Sequence, residues 1–74
     1  MSWNYRVLKK HDKILNEDLY FLIECYYNKD GSLMGYHEDV GLIGNDTAEL
    51  LRILEMMKND ILKDRPILTE EDFG

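Results

Sequence analysis

Cysteine and proline each occur once in this 74-residue sequence, as Cys25 and Pro66. A single cysteine excludes an intramolecular disulfide framework, so stability must come from a compact core, from dimerisation or from a partner. One unpaired thiol is also typical of a reducing compartment. No apolar run reaches the roughly 18 residues of a membrane-spanning helix, and the N-terminus has no apolar signal core. We therefore expect a cytoplasmic protein that makes no membrane contact.

Basic residues are also few, since 9 oppose 15 acidic residues and the net charge is −6. Four of the basic residues fall within the first thirteen positions: Arg6, Lys9, Lys10 and Lys13. The remaining chain is therefore more acidic still, and such a charge repels phosphate backbones. Nucleic acid is an unfavoured partner on this ground. An acidic surface suits solubility, a basic protein partner or mimicry of nucleic acid.

Three apolar segments alternate as strands do. Residues 3–8 have one apolar side, and 9–18 are mostly charged and predict a loop. Residues 19–27 and 32–37 flank Asp30-Gly31, a sequence typical of a tight hairpin turn. Gly35 within the third segment favours a bulge or a close approach of another group. The second segment has one face that resembles a core, consisting of Leu19, Phe21, Ile23, Cys25 and Tyr27.

One helix follows, with Asp46 or Thr47 at its N-cap and Glu49 completing a pair that resembles a capping box. It ends near 62–64, because Pro66 disfavours helical geometry in the residue before it. Its apolar stripe consists of Leu50, Ile53, Leu54, Met57 and Ile61. Three further apolar residues fall off the stripe and are candidates for a dimer contact: Leu51, Met56 and Leu62.

The prediction is an α+β fold in one domain, 1–74. A three-stranded antiparallel sheet carries one amphipathic helix packed on one face, in β-β-β-α order, over a body of residues 3–63. Residues 64–74 form an acidic tail. We expect the helix stripe to cover the side of the sheet that bears Phe21 and Ile23. The predicted core is Tyr5, Val7, Phe21, Ile23, Leu33, Leu50, Ile53, Leu54, Met57 and Ile61.

Catalytic chemistry has few candidates. Cys25 and His37 are the only possible nucleophile and base, and a tight hairpin would place them about 10 Å apart, beyond hydrogen-bond reach. Cys25 also lies on the core side, as structural thiols usually do. His37-Glu38-Asp39 is better explained as a solvated loop than as a metal site, which needs three or four converging ligands. We predict no enzyme activity, no metal and no cofactor.

The second strand has an unusually apolar opposite face, where Glu24 is the one acid. It is a candidate contact surface, with Glu24 as a recognition carboxylate for an arginine or lysine of a partner. The acidic tail with its one phenylalanine resembles a docking segment. The candidate partner-binding residues are Tyr20, Leu22, Glu24, Tyr26, Glu70, Glu71, Asp72 and Phe73.

Two resemblances extend this interpretation. Residues 35–39 (GYHED) and 44–51 (GNDTAELL) resemble the second half of HicB-type antitoxin domains, which implies a β-β-β-α unit. Nearly the whole chain resembles a family of small uncharacterised bacterial and phage β-β-β-α proteins. The matching segments are 3–7 (WNYRV), 26–31 (YYNKDG), 54–57 (LEMM), 66–68 (PIL) and 72–73 (DF). That family brings a fold without an assigned activity.

The function we expect is that of a small acidic inhibitor or regulator that binds another protein, of antitoxin or phage anti-defence type. The first alternative is a homodimeric domain of structural role. A weaker alternative is single-stranded nucleic-acid binding on the aromatic sheet, as in RNA-binding sheets whose aromatic side chains stack on bases. Those surfaces interleave aromatic with basic residues, whereas the central strand here offers Glu24.

Overall fold

The computed structural model describes residues 2–74, which form a three-stranded antiparallel sheet and one long helix. The strands are β1 (Ser2–Asp12), β2 (Glu17–Tyr27) and β3 (Leu33–His37), and β2 lies in the centre. Helix α1 spans Thr47–Leu62, and a 3-10 helix, Glu70–Phe73, lies in the tail. This architecture confirms the predicted α+β fold and its β-β-β-α order. No helix within these residues is long and apolar enough to cross a lipid bilayer.

The β1–β2 hairpin is longer than the sequence predicts. Residues 9–18 were expected to form a loop, yet the register of the two strands continues without a break to the Asp12–Glu17 pair. The turn beyond that pair contains Asn16 in the left-handed region, at a φ of 53°, which asparagine tolerates better than most residues. The loop prediction was wrong because charged residues on an exposed hairpin extension leave no apolar alternation to detect.

The β2–β3 hairpin closes as the Asp30-Gly31 sequence predicts. Gly31 has a φ of 87°, and the Asn28 amide donates to the Ser32 carbonyl at 2.8 Å. The Asp30 carboxylate accepts hydrogen bonds from the Ser32 amide at 2.9 Å and from its hydroxyl at 2.6 Å. The pairing of β2 with β3 then shifts register next to Gly35, where the sequence predicts a bulge.

Helix α1 begins at its predicted cap, where the Asp46 side chain accepts a hydrogen bond from the Glu49 amide at 2.8 Å. Within residues 2–74 the backbone of α1 comes close to that of β1 and of no other strand. Its one buried residue is Met57. Leu54 and Ile61, both expected in the core, are 45% and 50% exposed. A helix that lies along β1 alone leaves part of its apolar stripe in solvent.

The main core lies on the side of the sheet that bears Ile23. Its buried members are Leu8, Ile23, Cys25 and Leu68. The partly buried side chains packed against them are Phe21, Tyr27, Leu33, Tyr36 and Phe73. No residue of α1 belongs to this cluster, so the expected helix cover was wrong, and Leu68 and Phe73 of the tail take that place. Tyr5, Ile23 and Met57 of the predicted core are buried.

The tail is attached along the outer edge of β1. The Leu68 amide donates to the Val7 carbonyl at 2.9 Å, and the Lys9 amide donates to the Leu68 carbonyl at 2.8 Å. These two bonds form a one-residue parallel bridge. Further along the same edge, the Tyr5 amide donates to the Asp60 carboxylate of α1 at 3.1 Å. The tail and the end of α1 therefore satisfy backbone groups that an edge strand leaves open.

A candidate protein-binding surface

The surface of interest is the side of the central strand that faces away from the main core. It consists of Tyr20, Leu22, Glu24 and Tyr26, and we call it the outer face of β2. Successive side chains of a strand point to opposite sides, so these four lie opposite Ile23 and Cys25. Tyr20 is 60% exposed, and the other three are half-buried. All four predicted sheet residues of the site thus share one face.

Neighbouring strands widen this surface, because directly paired residues of an antiparallel sheet project to the same side. The strand register gives five such neighbour pairs: Trp3 with Tyr26, Tyr5 with Glu24, Val7 with Leu22, Lys9 with Tyr20, and His37 of β3 with Glu24. Glu24 therefore lies between Tyr5 of β1, which is buried, and His37 of β3, which is exposed.

Glu24 is held in place by a hydrogen bond and has no cationic partner. The Tyr26 hydroxyl donates to its Oε1 at 2.6 Å. No lysine, arginine or histidine of residues 2–74 forms an ion pair with it. The bond to Glu24 raises the pKa of Tyr26, because the carboxylate stabilises the protonated phenol. The pKa of Tyr5 is raised mainly by burial and further by the charges of Glu24 and Asp60.

Aromatic rings surround the Glu24 carboxylate. Trp3 and Tyr5 meet edge to face, with ring centroids 5.2 Å apart and planes at 87°. On the other side, the rings of Tyr26 and His37 are 5.7 Å apart at 78°. Alternation within β2 does not join Trp3 and His37 to the site. They come next to the outer face only through the strand register, which a single sequence leaves open.

The acidic tail lies on the opposite side of the sheet. The Phe73 ring centroid is 4.7 Å from that of Tyr36, and Phe73 packs against the main core. Asp72 accepts a hydrogen bond from the Thr69 amide at 2.8 Å, while Glu70 and Glu71 are exposed. The structure therefore separates the eight predicted residues into two groups. The phenylalanine and Asp72 have intramolecular contacts that account for them.

Cys25 and His37 also lie on opposite sides of the sheet. Cys25 is fully buried and pairs with Tyr36, while His37 pairs with Glu24. A regular tight hairpin would pair Cys25 near Met34, and the bulge beside Gly35 contributes to the shift away from that register. Within residues 2–74 no three histidine, cysteine, aspartate or glutamate side chains converge as metal ligands would.

A groove of about 640 Å³ lies between β1, the end of α1 and the segment that follows it. Its two arginines lie near partners, although the buried Nη1 of Arg65 makes no hydrogen bond within residues 2–74. Arg6 donates to the Tyr27 hydroxyl at 2.8 Å and to the Pro66 carbonyl at 2.9 Å. Arg65 lies 3.6 Å from Asp60. These contacts of Arg6 and Arg65 hold the start of the tail against the body of the protein.

Comparison of the chain with protein-family models, with curated proteins and with solved structures gives no match.

Proposed function

We propose that this protein is a non-enzymatic inhibitor or regulator that binds a basic segment of another protein on the outer face of β2. The observation that supports this most strongly is the position of Glu24. Its carboxylate lies among aromatic rings, is fixed by the Tyr26 hydroxyl at 2.6 Å, and has no cationic partner among the described residues. A partner's arginine or lysine is the group that this arrangement lacks.

The chemistry of the surface fits a guanidinium or ammonium group. A carboxylate accepts charge-assisted hydrogen bonds from such a group, and aromatic faces attract cations through the ring quadrupole. Trp3 supplies a large, half-exposed ring opposite Tyr26, and Tyr20 supplies a second exposed ring further along the same face. Phosphate is repelled by the same carboxylate, which disfavours the alternative of nucleic-acid binding on this sheet.

The charge of the whole chain supports the same partner chemistry. A net charge of −6 attracts a basic surface over a distance and raises the association rate at low salt. Binding that uses this attraction weakens as salt screens it, over a Debye length of about 8 Å at physiological ionic strength.

Within this class, the resemblance to HicB-type antitoxin domains and to phage-type β-β-β-α proteins favours a toxin or a defence protein as the partner. Such inhibitors act by occupying a surface on their target. The architecture of three strands and one helix agrees with that resemblance but is shared by proteins of other functions.

The test is affinity capture from the native cell with three forms of the protein as bait. The unmodified chain should retain a partner in stoichiometric amount, and Glu24→Gln should lose it. Glu71→Gln removes the same charge from the tail, on the other side of the sheet, and should retain it. Equal loss with both variants, or turnover of a metabolite without any stoichiometric partner, would contradict the proposal.

A second candidate function is a homodimeric domain of structural role. It is supported by the apolar side chains that α1 leaves in solvent, among them Leu51, Met56 and Leu62. This candidate and the first one use different surfaces, so both can hold for one protein. Sedimentation of the purified chain at micromolar concentration tests it, and a stable monomer would count against it.

A further inference from the structure

The described chain exposes more surface than a monomer of its mass usually does. A folded protein of 8.8 kDa is expected to expose about 4,800 Å², whereas this chain exposes 5679 Å². The excess of roughly 900 Å² is close to the 800 Å² or so that each partner contributes to an interface of standard size. The radius of gyration, 13.7 Å, likewise exceeds the roughly 11 Å expected for a compact domain of this length.

Part of the exposed apolar surface lies along one side of α1. Leu51, Leu54 and Ile61 are 66%, 45% and 50% exposed. With Lys58 they occupy positions that repeat after three and four residues, as the a and d positions of paired helices do. We call these four residues the seam of α1. At 100° per residue this seam lies about a quarter turn from the side of α1 that carries Met57 and Asp60. The contact with β1 therefore leaves the seam free.

The charge of α1 favours a second copy of the same chain as the occupant. The segment 47–63 contains three acidic and three basic side chains, so it is neutral within a chain of net charge −6. Two acidic copies can approach each other at this helix without the repulsion that they meet elsewhere. A lysine within an otherwise apolar seam is also a feature that fixes register and partner number in helix pairs.

From these observations we infer that the protein dimerises through α1, with the helices of two copies antiparallel and crossing midway between Leu54 and Lys58. In this arrangement Leu51 of one copy packs beside Ile61 of the other. The aliphatic stem of Lys58 packs beside Leu54 of the second copy, and its ammonium group lies next to Glu55 of that second copy. Two-fold symmetry repeats each contact. The inference rests on the homodimer candidate above and gives it a surface, and it does not depend on the basic partner.

The first experiment measures mass by sedimentation of the full chain at micromolar concentration, with two variants matched on the same helix. The unmodified protein should sediment with twice its 8.8 kDa mass. Leu54→Lys should raise the dissociation constant at least about tenfold. Asn59→Lys introduces the same charge at an exposed residue of α1 that lies away from the seam, and it should leave the constant unchanged. Circular dichroism confirms that both variants remain folded.

The second experiment tests the charge contact between copies. Glu55→Lys gives a helix with two lysines at the seam, and Lys58→Glu gives one with two glutamates, so each variant alone should dimerise at least about tenfold more weakly. An equimolar mixture of the two should form heterodimers of near-native affinity, because both contacts between copies then join opposite charges. If the mixture associates as weakly as each variant alone, the inference is overturned.

Two outcomes separate this inference from the candidate on which it rests. A dimer that tolerates Leu54→Lys overturns the α1 interface and leaves the homodimer candidate standing. A monomer at micromolar concentration contradicts both.

Antiparallel order has its own readout. A mixture of Leu51→Cys and Ile61→Cys variants should cross-link between chains on oxidation, while Leu51→Cys alone should not. Cross-linking of Leu51→Cys to itself would show parallel helices and overturn the proposed arrangement.

Discussion

The hydroxyl of Tyr26 and the carboxylate of Glu24 join at 2.6 Å on the face of β2 that lies opposite the main core. Two residues of the same strand, on the same side, thus fix each other's side chains. The bond orients the carboxylate before any partner arrives, which reduces the ordering cost of binding.

This bond has a direct signature in the titration of the tyrosines. The pKa of Tyr26 is raised above 10.0, first by the hydrogen bond to Glu24. Glu24→Gln removes the negative charge, so the phenolate becomes easier to form and the pKa of Tyr26 should fall toward its ordinary value. Tyr5 should keep a raised pKa, because burial is its main cause. Ultraviolet titration of the two proteins, with Tyr26→Phe to assign the transition, measures this, and an unchanged Tyr26 would contradict the bond.

Leu68 should contribute strongly to stability although it lies in the tail. It is 6% exposed and belongs to the main core, so Leu68→Ala should lower the free energy of unfolding by about 2–4 kcal/mol. Ile67→Ala removes a similar side chain at a neighbouring position that is 52% exposed, and should cost less than about 1 kcal/mol. Urea denaturation measures both. Equal effects of the two variants would show that the tail does not pack as described.

Asp60 joins α1 to the edge of β1. It accepts the Tyr5 amide at 3.1 Å and lies within 3.3 Å of Lys63 and 3.6 Å of Arg65. Asp60→Ala leaves that amide without its acceptor, so the free energy of unfolding should fall by about 1–3 kcal/mol.

Asp64→Ala is the matched control for this site. Asp64 is an exposed acid nearby, and its loss should change stability by no more than about 0.5 kcal/mol. Thermal unfolding at one pH and salt concentration compares the variants, and an Asp60→Ala protein as stable as the control would contradict the contact.

Asp30 should make the stability of the folded chain depend on pH in the acid range. Hydrogen bonds from the Ser32 hydroxyl and amide lower the pKa of Asp30 below 3.8. A carboxyl whose pKa is lower in the folded state stabilises that state at any pH above its pKa in the unfolded chain. This contribution is lost as the pH falls through the pKa of the folded state. The loss should therefore begin below about pH 4.

Ser32→Ala should raise the pKa of Asp30 toward 3.8 and reduce this dependence. Carbon-detected NMR titration of the Asp30 carboxyl in both proteins checks the shift. An identical pKa with and without the hydroxyl would show that the side-chain bond is not formed.

Local signals in the sequence are enough to predict the β2–β3 hairpin, the start of the helix and the two faces of β2. Asp30-Gly31 marks the hairpin, Asp46 marks the start of the helix, and alternation separates the two faces of β2. These features depend on residues close together in the chain. The position of the tail does not, since the pairing of Leu8 with Leu68 joins segments sixty residues apart, and nothing local in either segment identifies the other.

The candidate site was predictable to a similar extent. Strand alternation placed Tyr20, Leu22, Glu24 and Tyr26 together, and the structure keeps them on one face. The sequence makes the tail an equal candidate, because an acidic run with one phenylalanine has the same pattern whether it is free or packed. The contact between Phe73 and Tyr36 distinguishes these cases, and it depends on the register of β3.

The central claim is that Glu24 on the outer face of β2 binds a cationic side chain. Its most direct test is an NMR titration of the full chain with a short arginine-rich peptide, repeated with Glu24→Gln and Glu71→Gln. We expect the peptide to shift the signals of four residues: Tyr20, Leu22, Tyr26 and Trp3. Glu24→Gln should weaken this binding at least about tenfold, and Glu71→Gln should leave it unchanged. Shifts confined to residues 70–72, or equal binding by all three proteins, would contradict it.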